Sequence, residues 1–121
     1  MQDDIQHVFL VGAKSLGTYG GYETFINKLT EYHQNNEKIK YHVAVKANGQ
    51  GYMDPYKTEG ADVINEHRFL YHNAECFRIN IPEKIGPAQA IYYDVAALKE
   101  TCKIIKEQKI RHPIVYIMAC R

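Results

Sequence analysis

The sequence predicts an α/β fold with a Rossmann-like, mostly parallel sheet flanked by helices. Residues 8–45 read as an apolar strand, an amphipathic helix and a second strand, which is the pattern of a βαβ unit. Residues 76–81 and 113–120 are two further apolar segments, and a long amphipathic stretch separates them. Strands that alternate with helices in this way are typical of a parallel sheet whose two faces are covered.

The first predicted strand covers residues 7–11 (HVFLV), which are apolar without alternation, as in a strand covered on both faces. Gly12 ends this strand, and a glycine-containing loop leads to the pair Gly20 and Gly21. These two glycines stand directly before a helix that we expect to end near Asn35. The stripe predicted to face the core consists of Phe25, Ile26, Leu29 and Tyr32.

The middle of the chain predicts three more strands and one long loop. Residues 41–46 (YHVAVK) are rich in strand formers and follow the helix at the distance that a returning parallel strand needs. Glycine, proline and polar residues dominate residues 47–65, so we predict a long loop there. Residues 68–71 and 76–81 predict two short strands, and Pro82 ends the second of them.

Gly86 and Pro87 predict the start of the longest helix, because proline at the first helical position lacks only an N–H that would have no partner. We expect this helix to end near Gln108. Its predicted buried stripe consists of Ala88, Ile91, Tyr92, Val95, Leu98, Cys102 and Ile105.

Residues 113–120 (PIVYIMAC) predict a last strand that is buried on both faces. Such a strand normally returns through a helix that covers it, and no helical pattern follows in the sequence. We therefore expect residues 1–121 to form one domain of a longer, truncated protein.

Composition is that of an ordinary globular domain, with 121 residues, 45% hydrophobic and 24% charged. A net charge of +1 gives no overall field that would attract nucleic acid, so no nucleic-acid partner is expected. Cys76, Cys102 and Cys120 are odd in number and far apart, which indicates buried thiols in a reducing cytoplasm. No stretch resembles a signal peptide or a membrane span, so we expect a cytoplasmic protein, at most peripheral at the inner face of the membrane.

The loop after the first strand does not match the two best-known phosphate-binding loops. Gly12 and Gly17 have the spacing of G-x-x-x-x-G-K-[ST], but Thr18 stands where the phosphate-binding lysine is needed. The dinucleotide fingerprint needs glycine where Lys14 stands, and an acidic residue at the end of the second strand, where Lys46 stands. A nucleoside triphosphatase and a nicotinamide or flavin enzyme are therefore both disfavoured.

Gly20 and Gly21 remain the notable feature of this loop. A helix N-terminus offers unpaired N–H groups to an anion, and glycine lets a ligand approach the backbone without meeting a Cβ. A tight turn or a helix cap explains the same two glycines, and their spacing does not decide between these interpretations.

Two strings carry a resemblance to a known family: VFLVGAKSL, residues 8–16, and YGGYETFINKLTEY, residues 19–32. They resemble the N-terminal domain of bacterial glycosyltransferase family 4 enzymes of the capsule and exopolysaccharide type, rhamnosyltransferases in particular. In that family the loop typically reads Tyr-Gly-Gly-Phe-Glu-Thr-Phe. The similarity continues through YHVAVK, AECFRINIP, IGPAQAIYYDVAAL and PIVYIM, and so spans nearly the whole chain.

This resemblance implies the N-terminal, acceptor-side half of a GT-B glycosyltransferase, in which two Rossmann-like domains face each other across a cleft. It implies retaining transfer of a sugar, with rhamnose as the candidate, from a nucleotide-diphosphate sugar to a cell-surface polysaccharide precursor. The acceptor would be a lipid-linked precursor or a glycan. Neither a metal nor a cofactor is implied, because N–H groups and basic side chains would stabilise the leaving diphosphate.

The family's acidic donor-binding motif belongs to the C-terminal domain, which this chain lacks and which would be its partner across the cleft. The 121-residue chain alone is therefore expected to be inactive and to bind a nucleotide sugar weakly or not at all. Catalytic residues are not assigned by the resemblance.

By position in the family motif, Gly20 and Gly21 would border the donor diphosphate, with Tyr19, Tyr22 and Glu23 beside it. Glu23 is equally explained as an acidic residue that stabilises a helix N-terminus. Tyr22 departs from the usual phenylalanine and adds a hydroxyl to the loop.

The segment between Lys14 and Tyr19 is one residue shorter than the family pattern, with Gly17 near the usual proline. This departure leaves the donor and acceptor preference open but not the fold. Lys14 is a candidate phosphate contact, although a lysine in such a loop is more often solvated.

Tyr93 and Asp94 are candidate acceptor contacts, and a solvated helix face explains them as well, whereas Tyr92 is expected in the core. His67 and His72 lack the spacing of two ligands on one helix face, so no metal site is predicted. One function from a different class stays open beside glycosyl transfer. It is a non-catalytic Rossmann-like module that binds a nucleotide or a partner protein.

Overall fold

The computed structural model describes residues 5–12, 21–48, 52, 54–72, 74–82, 84 and 88–117, and only the backbone of residues 21–23 and 90. The elements in chain order are β1 (Gln6–Val11), α1 (Gly21–Tyr32), β2 (Ile39–Lys46), β3 (Asp62–Asn65), β4 (Arg68–Tyr71), β5 (Ala74–Ile79), α2 (Gln89–Glu107) and β6 (Ile114–Ile117). A short 3₁₀ turn, Pro55–Lys57, lies between β2 and β3.

The described strands form one sheet in the order β3-β4-β5-β2-β1-β6. β1 is parallel to both of its neighbours, β2 and β6, and β2 is also parallel to β5. At the other end of the sheet β3 and β4 form an antiparallel hairpin, and β4 is antiparallel to β5. The predicted α/β class with a mostly parallel, Rossmann-like sheet is confirmed.

The two helices cover opposite faces of this sheet. From β1 the chain passes through α1 to β2 on one side, whereas from β5 it passes through α2 to β6 on the other side. Because such crossovers are right-handed, opposite directions of travel require opposite faces. The packing agrees, since Leu10 shares a core cluster with Ile26 of α1, while its neighbour Phe9 shares one with Tyr93 of α2.

The central strands β1 and β2 are buried on both faces, which the continuous apolar run of residues 7–11 predicts for β1. Phe9, Leu10 and Val11 in β1 have no exposed surface, and neither do Val43 and Val45 in β2. Each such side chain contributes about 1.5–3 kcal/mol by leaving water, so these two strands supply a large share of the stability.

The sheet-facing stripe of α1 is narrower than predicted. Ile26 is fully buried and Leu29 packs against the same cluster, but Phe25 and Tyr32 are 45% and 82% exposed. The prediction is therefore wrong at its two aromatic positions. Thr30 is buried instead, because its hydroxyl donates to the carbonyl oxygen of Ile26 at 2.9 Å and so needs no water.

The rotation of α2 about its axis also differs from the prediction. Its buried residues follow one another at helical spacing: Tyr93, Ala97, Thr101 and Ile104. Several residues of the predicted stripe are instead exposed: Ile91, Tyr92, Val95 and Cys102. Apolar residues occur on more than one face of this helix, so the pattern alone does not decide which face packs on the sheet.

The three cysteines were expected to be buried. Cys76 is fully buried, and burial raises the pKa of its thiol well above the ordinary value. Cys102 is exposed on α2, so the prediction is wrong for this residue. Cys120 lies outside the described residues.

The predicted loop over residues 47–65 contains more structure than expected. Asp54 caps the 3₁₀ turn by accepting the N–H of Tyr56 at 3.0 Å, and residues 62–65 form β3. β3 is an edge strand with mostly exposed side chains, so it lacks the apolar alternation by which a strand is recognised in sequence.

The last strand, β6, exists as predicted, but its predicted burial on both faces is wrong. Side chains 114–117 are between 37% and 52% exposed, because β6 lies at the edge of the sheet beside β1. Residues 118–120, which the prediction also included, lie outside the described part of the chain. A row of exposed apolar side chains on an edge strand is a surface that proteins normally cover.

Candidate functional site

The parallel strands end together at one edge of the sheet, which we call the carboxyl edge. β1 ends at Val11, β2 at Lys46, β5 at Ile79 and β6 at Ile117. Both helices begin at this edge, because each follows directly from a strand that ends there. Helix N-termini carry a partial positive charge and unpaired N–H groups, so the carboxyl edge is suited to anions.

The strand order places a topological switch point between β1 and β6. The chain leaves β1 toward β2 on one side, while the neighbour on the other side, β6, is reached only later through α2. Open α/β sheets bind their ligands in the crevice outside the carboxyl ends of such a strand pair. The loop that the sequence singled out starts at this point.

Gly12 and Gly21 mark the two ends of that loop. Gly12 directly follows β1 with a φ of 123°, a backbone conformation that glycine adopts without steric cost. Gly21 is the first residue of α1, which confirms the predicted helix start. Lys14, Tyr19 and Gly20 lie outside the described residues, so their predicted proximity to a ligand remains a prediction.

Tyr22 and Glu23 belong to the first turn of α1, of which the structure describes only the backbone at residues 21–23. The helix itself is anchored next to the crevice. The ring of Phe25, one turn into α1, meets the ring of Tyr116 in β6 edge-to-face, with centroids 6.4 Å apart. This contact holds the first turns of α1 beside the carboxyl-terminal half of β6.

Lys46 lies at the carboxyl edge and is a cation there. In the sequence analysis this residue served only as evidence against a dinucleotide-binding fingerprint. It is the last residue of β2 and only 7% exposed. Its Nζ atom lies 5.7 Å from the centre of the Tyr93 ring, a distance at which the ring face attracts a cation. The signal in sequence was a lysine at the end of a segment rich in strand formers.

Tyr93 does not lie on the open helix face assumed for an acceptor contact. Its side chain has no exposed surface, and its hydroxyl donates to the backbone carbonyl of Ala44 at 3.0 Å. The predicted arrangement of core Tyr92 and exposed Tyr93 is therefore reversed, since Tyr92 is 41% exposed. Asp94 is half-buried on α2, and its predicted contact with an acceptor stays a prediction.

The comparison with protein-family models shows which family the chain belongs to. A family model described as a domain of unknown function, DUF1972, matches residues 5–121. The chain belongs to the DUF1972 family. No curated protein and no solved structure matches the chain.

At the carboxyl edge of this DUF1972 domain, hydrogen bonds join the residues that follow β2 to those at the end of β5 and after it. The side-chain amide of Asn48 donates to the carbonyl of Ile81 at 2.8 Å and accepts the N–H of the same residue at 2.8 Å. The N–H of Ala47 donates to the carbonyl of Ile79 at 2.9 Å. These bonds extend the pairing of β2 and β5 beyond the ends of the two strands.

Two negative findings concern the described part of the DUF1972 domain. Within it, no group of three or more histidine, cysteine, aspartate or glutamate residues is arranged to hold a metal ion. Neither described helix is long and apolar enough to cross a membrane.

Proposed function

We propose that this chain is the N-terminal domain of a glycosyltransferase. The enzyme would transfer a sugar, with rhamnose as the candidate, from a nucleotide-diphosphate sugar to a cell-surface polysaccharide precursor. Domains of the DUF1972 family are associated with N-terminal regions of glycosyltransferases, which supports the class of enzyme. The GT-B architecture, the retaining stereochemistry and the sugar rest on the sequence resemblance.

The observation that carries the proposal is the position of α1. Its first residue, Gly21, stands at the switch point between β1 and β6, where open α/β sheets accept ligands. A glycine there lets a diphosphate approach the free N–H groups of the first turn.

The chemistry would rest on charge stabilisation. When the glycosidic bond to the leaving diphosphate breaks, negative charge grows on the phosphate oxygens, and preorganised N–H groups lower the energy of that state. The first-turn amides of α1 supply such donors, and Tyr22 and Glu23 lie in the same turn. In this proposal no metal takes part, and the C-terminal domain of the longer enzyme holds the nucleotide.

Exposed apolar residues support the view that this domain works as part of a larger structure. Phe25 and Tyr116 touch each other and are 45% and 50% exposed, and the rest of β6 is similarly exposed. We propose that further chain of the longer protein covers this surface.

The first test uses the 121-residue chain and isothermal titration with UDP-glucose, GDP-mannose and dTDP-rhamnose. We expect weak or undetectable heat for all three, because the nucleotide would be held chiefly by the second domain. Tight binding by this chain alone would contradict that division of labour.

The second test uses the longer gene product in a transfer assay with labelled nucleotide sugars. Gly21→Val places a branched side chain where the diphosphate would approach, so kcat/KM should fall by about 10²-fold. The matched control is Lys28→Val on the exposed face of the same helix, which should leave kcat/KM within about twofold of wild type. Equal losses in both variants would show that the effect is helix destabilisation and not ligand contact.

The same assay separates the rival function. A non-catalytic module would bind nucleotide or a partner protein but would neither transfer nor hydrolyse any donor in the longer gene product. Donor turnover that depends on Gly21 would exclude it.

A further inference from the structure

A chain of polar side chains crosses the α2 face of the sheet near its amino edge, the edge opposite the carboxyl edge. His7 Nδ1 lies 2.9 Å from His42 Nε2, and His42 Nδ1 lies 3.1 Å from a carboxylate oxygen of Glu75. His42 has no exposed surface, and its ring stacks on Phe9 with centroids 4.2 Å apart. We call His7, His42 and Glu75 the histidine relay.

The charge state of Glu75 sets the direction of hydrogen bonding in this relay. The hydrogen bond from His42 is the main cause that lowers the pKa of Glu75 to about 2, so its carboxylate is ionised at neutral pH and can only accept. His42 Nδ1 then donates to this carboxylate, and with Nε2 as the acceptor for His7 the three side chains form one continuous hydrogen-bonded line. His7 donates from Nδ1, which leaves its Nε2 as the free end of the relay.

His7 lines a cavity of about 330 Å³ at the amino edge. The other lining residues come from the chain before β1, the start of β2 and the connection from α2 to β6: Ile5, Lys40, Gln108, Lys109, Ile110 and Arg111. Lys40, Lys109 and Arg111 are cationic, and among the residues that the structure describes no carboxylate lines the cavity. Among the described residues, none of these three cations belongs to an ion pair. Like charges around one cavity repel each other unless an anion lies between them.

These cations are not needed as caps for the carbonyl groups at the end of α2. The last carbonyl groups of the helix already accept backbone N–H groups, from Gln108 to Ile104 at 2.9 Å and from Ile110 to Ile105 at 3.0 Å. Lys109 has a φ of 53°, a conformation in which glycine is usual at this position after a helix. The lysine therefore places a charge at the cavity at a conformational cost.

We propose that this cavity is a second ligand site that binds a small phosphate-class oxyanion, held by Lys40, Lys109 and Arg111, with His7 Nε2 taking up a proton when the anion binds. The site lies across the sheet from the carboxyl edge, so it is independent of the proposed donor site. Its volume suits a small phosphorylated or sulfated molecule.

Binding should depend on pH through His7. Burial, His42 and Lys40 lower the pKa of His7, and only Glu75 raises it, so the ring is neutral in the empty site at neutral pH. The cationic groups that also face it across the cavity are Lys109 and Arg111. An oxyanion favours the protonated ring, and by linkage its affinity rises as the pH falls.

The test is an amide NMR titration of the chain with sodium sulfate, whose charge does not change between about pH 8 and pH 5.5, the range in which histidine titrates. We expect signals of the cavity residues to shift, and the affinity to rise several-fold across this range if the anion raises the pKa of His7 by one unit, with tenfold as the limit below the pKa of the empty site. His7→Gln should abolish the pH dependence, while His67→Gln, at an exposed histidine outside this cavity, should preserve it. Arg111→Gln should weaken binding at every pH.

Several outcomes would overturn the proposal. They are the absence of sulfate-dependent shifts at the cavity, binding that does not change with pH, and a pH dependence that His67→Gln removes as fully as His7→Gln does. Phosphatidic acid vesicles present the same oxyanion on a lipid. Cosedimentation that Arg111→Gln abolishes would support the site with a lipid ligand, and sulfate binding without cosedimentation would support it with a soluble one.

Discussion

The hydroxyl of Tyr93 in α2 donates a buried hydrogen bond to the backbone carbonyl of Ala44 in β2, with the two oxygen atoms 3.0 Å apart. This single bond joins the long crossover helix to the centre of the sheet. It also fixes the rotation of α2, because a tyrosine whose hydroxyl needs a partner is buried only where one is available.

Removal of that hydroxyl should destabilise the fold by a modest amount. Tyr93→Phe keeps the ring packed but leaves the Ala44 carbonyl without this partner, so urea unfolding should show a loss of about 1 kcal/mol. Tyr92→Phe removes a hydroxyl from the exposed neighbour and should leave the midpoint unchanged. The same loss in both variants would contradict the observed rotation of α2.

Glu75 should make the stability of the domain depend on acid pH. Its pKa is lowered from 4.5 to about 2 in the folded state, first by the hydrogen bond from His42. The ionised carboxylate therefore contributes stability that is complete above about pH 4.5 and lost as the pH falls toward 2. The contribution is on the order of 3 kcal/mol.

Urea unfolding of wild type and Glu75→Gln at a series of pH values checks this. The variant should be less stable near neutral pH, and the two curves should converge toward pH 2. Glu59→Gln, at an exposed carboxylate, is the matched control and should follow wild type throughout. A Glu75→Gln difference that stayed constant with pH would assign the effect to packing.

The conformation of Lys109 predicts a stabilising substitution. Its φ of 53° is unfavourable for a side chain with a Cβ and free for glycine, so Lys109→Gly should stabilise the chain by about 0.5–1 kcal/mol. Lys103→Gly in the interior of α2 should destabilise it by about 1 kcal/mol. Thermal unfolding of both variants measures these changes in stability. A loss of stability in Lys109→Gly would show that the lysine makes a compensating contact.

Two strands with similar composition should respond differently to truncation of a side chain. Leu10→Ala in β1 leaves a cavity in a fully buried site and should cost about 2–5 kcal/mol. Ile117 in β6 is 52% exposed, so Ile117→Ala should cost less than about 1 kcal/mol. Urea unfolding at two protein concentrations measures both. A large, concentration-dependent cost at Ile117 would show that copies of the chain cover β6 in solution.

The strongly patterned elements could be predicted from the sequence. The continuous apolar run in β1, the strand formers in β2 and the amphipathic stretch between them predicted a βαβ unit that the structure confirms. The helix start at Gly21 followed from glycine at a strand-to-helix turn. β3 was missed because an exposed edge strand needs no apolar alternation.

The predictions that failed concern features set by contacts between residues that are distant in sequence. Tyr92 and Tyr93 are adjacent and chemically alike, and only the contacts of Tyr93 with the sheet, among them its bond to the carbonyl of Ala44, distinguish the buried one. The histidine relay was not recognised either. His7, His42 and Glu75 come from three strands, and only the parallel register of β1, β2 and β5 brings them together.

By itself, the sequence determined the fold class, because burial periodicity and turn residues are local properties that the chain carries with it. It also predicted the glycine at the start of α1, while an anion bound there stays a prediction. Only the tertiary structure decided the strand order, and with it the switch point between β1 and β6, the helix faces and the cavity at the amino edge. Pairing of strands distant in sequence depends on the register and packing of the whole sheet, which no local pattern encodes.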